Sequence, residues 1–365
     1  RPFGKHHKIE SGTKYILRYN NSTSLMDYQG TTPDMESKFK HNTQVAAAYL
    51  SYILTAGKWA ARAGLRYELT HMKASYPDGS NADYHANLND WVPSASLQYK
   101  IRDGQTLKFS YNTSINRPGI NYLNPAVIST PTTESFGNAN LGSSRNQKLQ
   151  LTYMLVAPKF TLQLNPYYSF TNNGIAHIMY EQNHKNVYTY QNILKNKVFG
   201  ISSYTEWTPF TGTSFTLNAS MRYARITLPT PYLKNSGCGG GIYFNWEQKI
   251  PWKLTLTTSI GGEYGNRVYN PYAIEGHWFY YDFTLTRRFL KDKLTVSLSA
   301  NSPFIKERSS TYRIVQGDYT GYERSVMYPR YFNIGFSWSF GKLKASVKKA
   351  VRSIKNDDLV GGEKK

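Results

Sequence analysis

Cysteine is nearly absent from this 365-residue chain: Cys238 stands alone, so neither an internal disulfide nor a cysteine-built metal centre can form. Long apolar runs are missing as well. No stretch comes near the roughly 18 to 20 apolar residues that a spanning helix needs, which excludes a helical membrane protein. Acids are scarce, with 23 Asp and Glu against 44 Lys and Arg and a net charge of +21. A surplus of that size suits nucleic acid when it is clustered, because neighbouring cations neutralise phosphates together. Here the cations are spread along the chain, and the one dense run is the tail from Lys342 to Lys355. No nucleic-acid partner is expected. The opening residues, RPFGKHHKIESG, lack the charged, apolar and small-residue sections of a secretory signal, so a signal has been removed or the chain is a fragment. Catalytic sets are lacking too. No Ser/His/Asp set, acid pair or metal-ligand spacing stands out; His6 and His7 are adjacent and so point to opposite faces of a strand, while His177 and His184 are expected in an external loop. We expect no enzyme, no cofactor and no metal.

What the chain has in excess is aromatic residues, 15% of the total, with 31 Tyr and 7 Trp. These side chains favour a boundary between oil and water. They sit within a strict alternation. Phe332, Ile334, Phe336, Trp338 and Phe340 alternate with Asn333, Gly335, Ser337 and Ser339, and Phe215, Leu217, Ala219 and Met221 with Thr216, Asn218, Ser220 and Arg222. Period two gives a strand one apolar and one polar face. About fourteen strands are predicted, near residues 8–20, 43–55, 58–71, 93–102, 105–115, 146–156, 159–171, 195–207, 212–226, 238–249, 252–266, 277–289, 293–303 and 329–341. Each has about the length a tilted strand needs to cross a bilayer.

The connections sort by length. Tight turns around Ala56-Gly57, Asp103-Gly104, Ala157-Pro158, Pro209 to Gly212, Ile250-Pro251 and Leu290 to Lys293 alternate with long polar loops. A soluble sandwich has no reason to sort its loops by side, whereas an outer-membrane barrel has short periplasmic turns and long extracellular loops. The expected fold is an all-β, antiparallel transmembrane β-barrel over residues 1–341, in the outer membrane of a Gram-negative bacterium. Residues 342–365 form a basic periplasmic tail, disordered or folded as a short helix carrying Val347, Val351 and Ile354 at helical spacing. An aromatic girdle is assigned to Trp59, Trp207, Trp246 and Trp252 near periplasmic strand ends and to Trp278 near the opposite rim. Outer-membrane lipid and lipopolysaccharide, whose phosphates suit a basic barrel, are the expected surroundings.

The final segment, NIGFSWSF, resembles the assembly signal of bacterial outer-membrane barrels, with Asn333, Gly335, Trp338 and Phe340 at the matching positions. That resemblance implies recognition by the barrel-insertion machinery. The chain departs from it by continuing past Phe340. Other segments resemble the outer-membrane β-barrel family of Bacteroidetes type, a relative of TonB-dependent receptors: KIESGTKY, VAAAYLSY with AARAGLRYELT, LKFSYNTSINRPGINYLNP, FGNANLGSSRNQKLQLTY and MYPRYFNIGFSWSFG, in the family's order. Where the family writes GNPxLxPE this chain has GNANLGSSR. The resemblance implies a barrel of twenty-two strands, whose C-terminal part these fourteen would fit; an even count with both ends periplasmic also suits a smaller closed barrel. The resemblance also implies an N-terminal plug, absent from this stretch, that contacts a TonB-type energy coupler.

Strand parity sends Arg62, Arg66, Glu68, Lys100, Lys108, Lys148, Arg222, Glu263 and Asp282 inward. Arg62, Arg66 and Arg222, with Asn116 and Arg117 where the fifth strand opens into the longest loop, are the candidate lumen or substrate contacts. The expected function is import of a small or oligomeric substrate through the plugged barrel. A surface adhesion or assembly barrel without transport, and a passive pore, are the alternatives.

Overall fold

The computed structural model describes residues 2–26, 35–79, 83–125, 127–229, 232–316, 319–340 and 359–360. Fourteen of the sixteen described strands of eight residues or more run as one antiparallel meander. They are β1 (His7–Met26), β2 (Met35–Ala56), β3 (Trp59–Ser75), β4 (Tyr84–Arg102), β5 (Gln105–Pro118), β6 (Ser144–Ala157) and β7 (Phe160–Gln182), then β8 (Lys185–Trp207), β9 (Thr213–Pro229), β10 (Tyr232–Ile250), β11 (Leu254–Gly265), β12 (Trp278–Phe289), β13 (Leu294–Asn301) and β14 (Tyr331–Trp338). At one end two-residue turns pair Ala56 with Trp59, Arg102 with Gln105 and Ala157 with Phe160. Gly57 and Gly104 take φ of 56° and 74° there, values that cost an L side chain and that tight hairpins demand. Residues 208–212, 251–253 and 290–293 join strands at the same end. All six predicted tight turns therefore share one side.

The other end differs from expectation. Strands predicted at 159–171 and 195–207 run on as β7 and β8 to a two-residue turn at Asn183-His184, both at positive φ. β9 and β10 continue to the pair Pro229–Tyr232, and β1 and β2 to Met26–Met35. Segments that read as long polar loops are sheet carried beyond the apolar belt, because a continued ladder satisfies backbone groups whatever the polarity of the side chains. Longer connections remain between β3 and β4, β5 and β6, β11 and β12, and β13 and β14. The last two build a small antiparallel sheet from Arg267–Val268, Ala273–Glu275, Arg308–Gln316 and Tyr319–Met327.

Two aromatic pairs measure the apolar belt. Trp59 and Tyr99, facing partners on β3 and β4, lie 4.6 Å apart by ring centroid; Tyr67 and Trp91, on the same two strands and the same outer face, lie 4.7 Å apart. Eight residues separate the pairs, about 26 Å along a strand and about 20 Å along the membrane normal at the usual tilt. The outward positions between them are Ala61, Ala63 and Leu65 on β3, and Pro93, Ala95 and Leu97 on β4. None is polar. Beyond Tyr67 and Leu69 the same face turns to His71 and Lys73, where water begins.

Among the described residues β1 and β14 do not pair with each other, so the meander is open. On β1, Pro2–Phe3 pairs with His7–Lys8. Of the predicted tail only Leu359–Val360 is described, and the rest of 342–365 lies outside the described residues. These two residues pair in parallel with Arg117–Pro118, at the long-loop end, and so depart from the periplasmic placement. The wall ladders of β5 stop at Asn112 toward β4 and at Asn116 toward β6, which leaves an edge there for a strand to join.

Candidate functional site: the lumen and its mouth

The inward face of the meander is polar and cross-bonded. All nine charged residues predicted to face inward lie on it by register. Asn165 accepts from Thr152 Oγ1 at 3.0 Å and Gln163 Nε2 at 3.0 Å, one example of the hydrogen-bonded ladder that lines the strands. Tyrosine rings fill hollows over glycines of neighbouring strands. A Cβ on Gly200 would stand 2.6 Å from the Tyr167 ring, and one on Gly261 would stand 2.7 Å from Tyr243 and Tyr280.

The connection from β5 to β6 folds into the mouth. Arg117, 2% exposed, donates from Nε to Thr70 Oγ1 at 2.9 Å and pairs with Glu68, which Arg66 also contacts. Behind it a turn of helix at Ile120–Leu123 sets Leu123 against Met72 and Leu141, all three buried. The return leg is fixed by polar groups. Ser143 Oγ donates to Asp90 at 2.7 Å, Arg145 Nη2 donates to the same carboxylate at 3.0 Å, and Asn192 exchanges bonds of 2.7 and 3.1 Å with the Gly142 backbone. Thr133–Ser135 adds a parallel strand to β8. Tyr76, just beyond β3, donates to Asn124 Oδ1 at 3.4 Å, and burial, helped by Asp83 and Asp78, pushes its phenol up to about 12. A cleft of about 390 Å³ remains beside the Asp90–Arg145 pair, lined also by Leu88, Gln147 and Asn173.

A second cluster lies on the inward face of β10, β11 and β12. Tyr243, Trp278 and Tyr280 gather on β10 and β12, with Tyr243 donating to Glu263 at 2.9 Å. Arg267 pairs with Glu263 and, at 3.3 Å, with Glu275. Arg222 stacks on Tyr269 at 3.8 Å and Arg308 lies over Trp278 at 5.7 Å.

These positions correct two expectations. Trp278 does not belong to an outer girdle: Phe279, Tyr281 and Phe283 take the outer face of β12, so strand parity turns Trp278 inward onto Tyr280. Arg117 is not offered to a solute, because its guanidinium is held by Glu68 and Thr70 in a buried site. Arg66 is tied to the same Glu68, and Arg62 pairs with Glu10 at 3.1 Å while its side chain stays half-exposed. Asn116 ends the β5–β6 ladder opposite Ser144. Trp59, Trp207 and Trp246 lie on the outer face near the short turns, and Trp252 is exposed in the turn itself. Asn333 and Gly335 face inward and Trp338 outward on β14, and Phe340 follows its end, exposed. The Asp90–Ser143–Arg145 set escapes sequence reasoning. Asp90 has inward parity like Glu68, but its partners arrive from a connection some fifty residues away.

The sequence matches the outer membrane protein beta-barrel family over residues 1–338. This chain belongs to that family. As an outer-membrane barrel it sits in the outer membrane of a Gram-negative bacterium, its short turns periplasmic and its long connections outside. No curated protein matches the sequence. Among solved structures it is similar to the ferric yersiniabactin uptake receptor FyuA from Yersinia pestis, at 15% identity and TM-score 0.63, over 93% of this chain and 52% of that one. The copper transporter OprC is similar at 12% identity and TM-score 0.68, over 92% and 54%. The ferric citrate transporter FecA in its unliganded form is similar at 13% and 0.62, over 92% and 51%. At such identities the likeness is one of fold. The barrel described here spans about half the length of these structures.

Proposed function

We propose that this family member is the C-terminal wall of a TonB-dependent-receptor-like importer, completed by further strands and by an N-terminal plug that engages a TonB-type energy coupler. The observation that carries the reading is the open meander. In hydrocarbon, an unpaired row of backbone groups costs several kcal/mol per group, so a spanning sheet has to close. Among the described residues β1 and β14 leave such rows, and Pro2–Phe3 begins a ladder on β1. Eight more strands would give the twenty-two of the receptor type, in keeping with the half-length match to FyuA, OprC and FecA.

The substrate passes a lumen whose inward cations include the half-exposed Arg62, paired with Glu10, and Arg222, stacked on Tyr269, which suits a polar or anionic solute, small or oligomeric, and the barrel does no chemistry of its own. Asn333, Gly335, Trp338 and Phe340 present the final strand to the barrel-insertion machinery. The test combines planar-bilayer recording with binding to the coupler's periplasmic domain. An importer stays largely closed and binds the coupler; a steady open conductance with no coupler binding would leave a passive pore, and neither conductance nor binding an adhesion or assembly barrel.

A further inference from the structure

On the outer face of β8, β9 and β10 the side chains fall into rows set by strand register. From the periplasmic end these are Trp207–Phe215–Trp246, Thr205–Leu217–Phe244, Ser203–Ala219–Ile242, Ile201–Met221–Gly240 and Phe199–Tyr223–Cys238. The next two rows are Lys197–Arg225–Ser236 and Lys195–Thr227–Lys234. Eight residues part Trp207 from Phe199, as they part the two aromatic pairs on β3 and β4. The upper apolar rows therefore lie in the outer leaflet, with the cations directly above the belt. Small residues hollow the wall there. Ser203, Ala219, Gly239 and Gly240, with Cys238 in the uppermost of these rows, line an apolar groove of about 530 Å³ together with Ile201, Met221, Ile242 and Tyr264.

Lys195, Lys197, Arg225 and Lys234 are all exposed, and no Asp or Glu occupies an outward position in these seven rows. A mostly apolar groove alone would accept any acyl chain. Four uncompensated cations one or two rows above it select a lipid with negative charge at that height, since charge-assisted bonds to phosphate are strong and each Lys or Arg near an anionic lipid surface adds attraction.

We infer that this face is a binding site for a phosphorylated glycolipid of the outer leaflet, the lipid A part of lipopolysaccharide, with phosphate against Lys197 and Arg225 and one acyl chain in the groove. The site needs only the barrel's orientation in the outer membrane, so it stands or falls apart from import.

Cys238, the sole cysteine, lies at the groove's upper rim and takes a fluorophore without any substitution. The labelled protein is placed in nanodiscs of phosphatidylcholine carrying an acyl-chain nitroxide, which quenches the label. Bisphosphorylated lipid A should relieve the quenching at a mole fraction at which phosphatidylethanolamine has no effect. The double variant Lys197→Glu/Arg225→Glu should need roughly tenfold more lipid A. Ala219→Trp, which fills the groove and spares the cations, should also weaken the response, and labelling yield together with the heat-modified mobility of the barrel completed by its remaining strands confirms that each variant is folded. Equal relief by both lipids, or an unaltered response in the double variant, overturns the site. Relief that tracks protein density without lipid A would make a second copy of the chain the occupant, and overturns it too.

Discussion

At the scale of single residues, the mouth of the barrel is governed by a few buried charges. Glu68 lies between Arg66 and Arg117, and Arg117 is the side chain that anchors the β5–β6 connection in the lumen. A buried ion pair is weak evidence of net stabilisation, but removing one partner is costly because the other charge is stranded. Arg117→Ala should therefore destabilise the protein by about 3 kcal/mol in denaturant titrations and expose residues 119–143 to protease. The volume-matched pair Glu68→Leu/Arg117→Met should recover most of that loss. If it recovers none, the two residues are held by something other than each other. Arg145 offers a contrast: its side chain is 41% exposed, so Arg145→Ala should cost less, although Asp90 beneath it is nearly buried. The sequence marks Glu68 as inward through its parity. It could not show that Arg117, read as a solute contact, is spent on Glu68, because the pairing spans 49 residues and depends on how the connection folds.

At the scale of the strand, the two faces obey different solvents. The outer positions of β3 and β4 between the aromatic pairs are apolar throughout, while the inner positions carry Arg62, Arg66, Ser94 and Ser96. A charge placed at the middle of the outer belt meets hydrocarbon, and the same charge on the inner face meets water and polar neighbours. Ala63→Arg should cost about 2–4 kcal/mol of folding free energy in bilayers, and Ser110→Arg, inward on β5, a small fraction of that. Equal costs would mean that the two faces have been exchanged. Period two made this sorting legible, down to the inward list and the six short turns. It failed where the alternation continues but the polarity does not. Residues Asn172 to Leu194 read as loop because polar residues outnumber apolar ones in them, yet β7 and β8 continue through them as sheet above the membrane. Trp278 misled for a related reason: its position near a rim was legible, but Phe279, Tyr281 and Phe283 decide which way the strand faces, and they place the Trp inside.

At the scale of the whole molecule, the governing fact is an edge. β14 carries Phe332, Ile334, Phe336 and Trp338 toward lipid, so the side that has no partner among the described residues lies at membrane depth, where no water can satisfy N–H and C=O groups. A soluble sheet tolerates such an edge by exposing it to solvent or guarding it with charge. Hydrocarbon allows neither. A smaller barrel closed by β1 against β14 would remove the problem, but the ladder that β1 begins on its free side is with Pro2–Phe3. Residues 1–365 refolded alone into detergent or bilayers should therefore fail to give a closed monomer. They should show no heat-modifiable shift in electrophoretic mobility and should associate through their edges, whereas the chain with its remaining strands should give a shifted, protease-resistant barrel. A heat-modifiable monomer from residues 1–365 would show that β1 and β14 do meet, and the proposal that more strands complete the wall would then fall.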